Sequence, residues 1–155
     1  MSPIAFIDTS VLCNLIPVPG MDQSSAEIKT ELKVRLAEGW QFILPITSVI
    51  ETGNHIAHLS DGRLRRATAD TFVKIMQLVQ QGKAPWLLHD VPWDADFLKL
   101  LLAGADTGSG YVDNATRGVG AGDLCILTER LTYQARSGIR AEIWSIDSDL
   151  TAHSA

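Results

Sequence analysis

Ile4-Ala5-Phe6-Ile7-Asp8-Thr9-Ser10 is four apolar residues in a row, halted by an acid and two hydroxyls. An unbroken apolar run of this length reads as a strand buried on both faces, the mark of a parallel sheet. Three later runs repeat the signal: Phe42-Ile43-Leu44, Trp86-Leu87-Leu88-His89 and Glu142-Ile143-Trp144-Ser145-Ile146. Between them lie helical patterns. Val11 to Ile16 predicts a short helix, ended by Pro17-Val18-Pro19-Gly20. Ser24-Ser25-Ala26-Glu27 predicts a capping box, with Ile28, Leu32, Leu36 and Ala37 on the buried face and Gly39 as the stop. A helix opening near Thr47 or Ser48 carries Glu51 and buries Val49, Ile50, Ile56 and Leu59. Another runs from Gly62 to Gln81, with Phe72, Ile75, Met76 and Val79 at core spacing. Trp93 to Ala103 and Leu124 to Ala135 are helical, the latter with Leu127, Leu131 and Ala135 in phase, and Gly104 to Gly122 reads as a long loop. Strands alternating with helices predict an α/β chain with a central, mainly parallel sheet, and no linker divides residues 1–155 into two domains.

The 155 residues suit one domain with a core of its own. The apolar share is 46% and the charged share 20%, which excludes a disordered or fibrous chain. Thirteen basic residues against 18 acidic ones, a net charge of -5, exclude a general polyanion coat and leave room for a local nucleic-acid site. Two cysteines, Cys13 and Cys125, exclude a disulfide scaffold and a four-thiolate zinc site. No signal peptide precedes Asp8, and no apolar run nears the ~20 residues of a membrane span. The expectation is a cytoplasmic protein with reduced thiols and no membrane contact.

Asp8 and Asp147 follow apolar strands, and Glu51 and Asp123 stand near helix starts. Ligands of an open parallel sheet bind beyond the carboxyl ends of its strands, so all four carboxylates are candidates for one site. Two unit charges about 4 Å apart repel by about 4 kcal/mol at an effective dielectric of 20. A hard divalent cation answers that repulsion, and one held by carboxylates suits in-line phosphodiester hydrolysis. Each residue also has a purely local explanation. Asp8 can cap a helix, Glu51 can pair with Ser48 in a capping box, Asp123 can favour a helix dipole, and Asp147 and Asp149 can form a turn.

Phe6-Ile7-Asp8-Thr9-Ser10-Val11-Leu12 resembles the opening motif of PIN-domain nucleases. Ile46-Thr47-Ser48-Val49-Ile50-Glu51, Gly122-Asp123-Leu124-Cys125-Ile126-Leu127 and Trp144-Ser145-Ile146-Asp147-Ser148-Asp149-Leu150 are similar to the second, third and closing motifs. Size and acidic order also resemble the VapC-type toxins of toxin–antitoxin pairs. The resemblance implies a three-layer α/β/α sandwich and metal-dependent cleavage of RNA. It implies that Asp8, Glu51, Asp123 and Asp147 hold Mg2+ or Mn2+, with Thr9 or Ser10 in support. It also implies a homodimer and, for toxins, silencing by an antitoxin protein. This chain has Ser145 where the family more often has Thr, and Leu150 where it more often has Phe. The fourth carboxylate is therefore Asp147 or Asp149. The stretch from Glu51 to Asp123 is longer than in compact toxins.

Arg117, in the loop before Asp123, is the candidate phosphate contact; Arg63, Arg65 and Arg66 form a second basic cluster that reads as a solvated face. Gly118-Val119-Gly120-Ala121-Gly122 lacks the Lys-Ser/Thr ending of a phosphate-binding loop. Glu51, His55 and His58 do not have a zinc-protease order, and His89 and His153 have no evident base–nucleophile partners. Cys13 and Cys125 read as buried thiols, and most of the four tryptophans as core or dimer packing residues. The expected activity is that of a metal-dependent endoribonuclease. The alternatives are a catalytically silent module of the same fold that binds RNA or protein, and a metal-dependent phosphatase acting on a small substrate.

Overall fold

The structure, a computed structural model, describes residues 2–147 and Leu150. Among these residues are four strands and seven helices. They are β1 (Ile4–Ile7), α1 (Thr9–Leu15), α2 (Ser25–Ala37), β2 (Gln41–Ile43), α3 (Ile46–Ala57), α4 (Gly62–Gln80), β3 (Trp86–Leu87), α5 (Ala95–Leu102), α6 (Tyr111–Thr116), α7 (Ala121–Ser137) and β4 (Glu142–Trp144). The strands lie side by side in the order β3-β2-β1-β4, and every neighbouring pair is parallel. Phe6 aligns with Ile43 of β2 on one side and Ile143 of β4 on the other.

All four residues of β1 are buried. Ala5 and Ile7 enter one core with Val11, Leu12, Ile56, Val79 and Trp86, while Ile4 and Phe6 enter a second with Leu124, Ile126, Leu127 and Ile143. Side chains alternate across a strand, so these cores lie on opposite faces of the sheet. Helices of the first half cover one face and α7 the other, an arrangement compatible with three layers. From β1 the chain steps outward through β2 to β3, then returns to the far side of β1 with β4. The strand order reverses there, so the crevice beyond the carboxyl ends of β1 and β4 is the expected ligand position.

Several local expectations are corrected. Ser24 precedes α2 but makes no side-chain cap bond. Its backbone N–H instead donates to Asn14 Oδ1 at 3.0 Å, and Ser25 Oγ donates to the Asn14 carbonyl at 2.8 Å. A buried asparagine thus replaces the local capping box. Leu36 and Ala37 are exposed, because α2 packs chiefly through Ile28 and Leu32. Ile50 is exposed on the outer side of α3, and Ala135 on that of α7. The long loop contains α6, where the Asn114 amide donates to Thr107 Oγ1 and to the carbonyls of Ser109 and Gly110. β3 is shorter than its apolar run: it lies at the sheet edge with one partner, and Leu88 beyond it is exposed. α7 ends at Gly138, whose φ of 70° is the left-handed conformation that glycine adopts at least cost. Among the described residues, no helix is long and apolar enough to cross a membrane.

Candidate functional site

Asp8 leaves β1 and caps α1, and the residue is 3% exposed. Its backbone N–H donates to the Trp144 carbonyl at 3.0 Å, which ties the end of β1 to the end of β4. Three donors converge on Oδ2: Ser10 N–H at 3.2 Å, Ser10 Oγ at 2.6 Å and Ser145 Oγ at 2.8 Å. None of the three falls on Oδ1. The local capping explanation of Asp8 is thus correct as far as it goes, but it accounts for one of these bonds. Each serine hydroxyl has a single proton, spent on Asp8. Its lone pairs accept in turn, Ser10 Oγ from Ile146 N–H at 3.2 Å and Ser145 Oγ from Asp147 N–H at 2.8 Å. The strand-predicted Ser145 and Ile146 leave the ladder to make this network.

Glu51 comes from α3. Its capping-box pairing with Ser48 does not form: Ser48 Oγ donates to the Ile7 carbonyl at 2.7 Å, and Pro45 precedes the helix. Glu51 Oε1 instead accepts from Thr9 Oγ1 at 2.8 Å, across 42 residues. Its carboxylate also lies against Gly122 in the first turn of α7, so closely that a Cβ there would sit 2.2 Å from Oε2. Asp123 follows in that same turn, half-buried. Asp8, Glu51, the start of α7 and the backbone of Asp147 therefore meet beyond the ends of β1 and β4. Asp149 lies outside the described residues.

Arg35 pairs with Glu31, and the His89 ring lies beside Glu129; among the described residues no cationic side chain pairs with Asp8 or Glu51. Carboxylates and hydroxyls form an all-oxygen donor set, the kind Mg2+ and Mn2+ prefer. Among the described residues, no three His, Cys, Asp or Glu side chains are grouped so as to hold an ion. The two carboxylates of Asp8 and Glu51 meet the lower requirement of Mg2+, which keeps several waters and takes one or two carboxylates plus substrate phosphate.

Burial raises the Cys13 thiol above its ordinary value, and the nearby Asp8 and Glu51 carboxylates push the same way. Burial and Glu129 raise Cys125 likewise. Both thiols are poor nucleophiles at neutral pH. Arg117 is exposed at the end of α6, where its Nη2 donates to Asn114 Oδ1 at 3.3 Å. Arg63, Arg65 and Arg66 are exposed on α4. Surface hollows of about 500 Å³ along α2 and 310 Å³ beside Arg130 and Arg140 are lined by none of the candidate site residues.

Sequence reasoning gave no role to four residues in or beside these contacts. Ser145 and Gly122 stand one or two residues from candidate acids. The third is Glu129, 1% exposed on α7, and the fourth is its neighbour His89. A carboxylate seven residues from Gly122, on the inward stripe of a helix, was the signal for Glu129. The His89 ring meets Phe6 and Tyr133 edge-on, and its Nε2 lies 3.6 Å from Glu129 Oε1. Compared with family models, curated proteins and solved structures, the chain matches none.

Proposed function

We propose that this chain is a divalent-metal-dependent endoribonuclease of PIN type, hydrolysing RNA phosphodiester bonds. The observation that carries the reading is the meeting of Asp8 and Glu51 at the strand-order reversal, linked through Thr9 and without a cationic partner among the described residues. Such a placement of two acids is costly for a role in packing alone. The four motif resemblances add Asp123 and either Asp147 or Asp149 to the set.

In this reading Asp8 and Glu51 would hold Mg2+ or Mn2+, and the resemblance would add Asp123 and either Asp147 or Asp149. The ion supplies neutralising charge, an acidified water and a clamp on the phosphate oxygens. Ser10 and Ser145 fix Asp8 by occupying Oδ2, and Thr9 orients Glu51. Arg117, at the mouth of α6, meets RNA phosphate. A toxin role with an antitoxin partner, a homodimer and a cytoplasmic setting follow from the resemblance alone.

A silent RNA- or protein-binding module is the second reading, favoured by the lack of a grouped third ligand among the described residues. Asp8→Asn separates the two. Asn caps helices as well as Asp and keeps an acceptor for the serines, so the fold should survive while the charge is lost. Cleavage of structured and unstructured RNA with Mn2+, stopped by EDTA and reduced at least 100-fold in the variant, is the expected result. Absent Mn2+ binding and cleavage in the folded wild-type protein would refute the nuclease and favour the silent module.

A further inference from the structure

Glu129 is a carboxylate in the layer between α3 and α7, and it is almost wholly buried. Its Oε1 accepts the N–H of Ile46 at 3.3 Å, and its Oε2 accepts Thr47 Oγ1 at 2.8 Å. Ile46 is the first residue of α3, so this bond fills one of the amides a helix start leaves unpaired. Thr47 and Glu51 are four residues apart and share a face of α3. Gly122 and Glu129 are seven apart and share a face of α7. The two helices therefore meet at two carboxylates, Glu129 of α7 on the start of α3 and Glu51 of α3 on the start of α7. His89 Nε2, 3.6 Å from Oε1, closes the open side of Glu129.

We infer that Glu129 is a positioning residue: it clamps the first turn of α3 to α7 and so sets where the Glu51 carboxylate stands. Glu129 itself touches neither Glu51 nor Asp8 through a hydrogen bond; it acts through one helical turn, about 6 Å of rise. Without it, Ile46 N–H and Thr47 Oγ1 lose their acceptor and the first turn of α3 loosens from α7, while the Ser48 bond to the Ile7 carbonyl still ties it to β1. The value of that placement for chemistry rests on the nuclease reading; the clamp does not.

The test compares Glu129→Ala, Glu129→Gln and Val79→Ala with the wild-type protein. Val79 lies in the other core, so its truncation lowers stability without touching the clamp. Calorimetric titration with Mn2+ and hydrogen exchange of the Ile46–Glu51 amides, without metal, are the readouts. Glu129→Ala should weaken Mn2+ binding about 10-fold or more, the usual effect of losing a residue that orients a ligand. It should also speed exchange in the first turn of α3. Glu129→Gln, which keeps an acceptor and the shape, should recover most of both, and Val79→Ala should change neither at a comparable loss in Tm. Wild-type affinity and exchange in Glu129→Ala, or equal losses in Val79→Ala, would overturn the clamp. If the wild-type protein binds no Mn2+, the nuclease reading fails and the exchange data alone decide the clamp.

Discussion

Gly122→Ala separates the needs of the site from those of the fold. The added Cβ would lie 2.2 Å from Glu51 Oε2, 2.5 Å from Cδ and 2.8 Å from Oε1, where ordinary contact begins near 3.4 Å. The carboxylate must retreat by about 1 Å, the gap between those contacts. It is the far end of a flexible side chain, so it can move. Doing so lengthens the 2.8 Å bond from Thr9 past hydrogen-bonding range. That loss costs about 1 kcal/mol. Replacing glycine by alanine in a helix returns up to ~1 kcal/mol. The two nearly cancel, so Tm should stay within a few degrees of wild type. A misplacement of about 1 Å in a catalytic group costs about 100-fold in rate. Cleavage of a labelled RNA with Mn2+ should therefore fall by about two orders of magnitude in a protein that melts normally. Wild-type cleavage rate and Mn2+ affinity in Gly122→Ala would refute the role given to Glu51. A large drop in Tm would instead mean that the carboxylate cannot yield and that the helices separate.

Two further predictions concern stability. Asp61 caps α4 through bonds to Arg63 N–H at 2.8 Å and Leu64 N–H at 3.1 Å, and neither bond involves a candidate acid. Asp61→Ala should cost about 1 kcal/mol in chemical denaturation and leave RNA cleavage unchanged. Both thiols are raised above 9.0 by burial, so the folded state holds protons that the unfolded chain releases. Their stabilisation is complete below pH 9 and is lost as pH rises through the raised values. Tm should decline above pH 9, and less steeply in Cys13→Ala; a pH-independent Tm in that range would contradict the assignment.

The central strand was legible because burial on both faces leaves no polar position to disguise it: Ile4 to Ile7 reads as strand from its residues alone. α4 was legible for a related reason, since Phe72, Ile75, Met76 and Val79 recur at the period of a helix. The capping boxes at Ser24 and Ser48 were not. Each serine had a local partner on paper, but a distant group, Asn14 or the Ile7 carbonyl, bonded first. α6 was hidden among glycines because its order comes from Asn114, a single side chain with several partners.

The candidate acids show the same division. Asp8 could be placed at a strand end by counting, because apolar runs stop where the chain leaves the core. Glu51 joined it as a candidate through its place near a helix start and the motif resemblance, but the bond from Thr9 joins two helices across 42 residues, and no local count gives it. In the sequence Gly122 ends the glycine-rich loop and opens the third motif, and Glu129 is not among the candidate acids. Their roles arise from the contact between α3 and α7, two helices that follow different strands. Local residue patterns record which faces must leave water. Which polar groups then meet depends on how those faces pack, and no stretch of the chain carries that information alone.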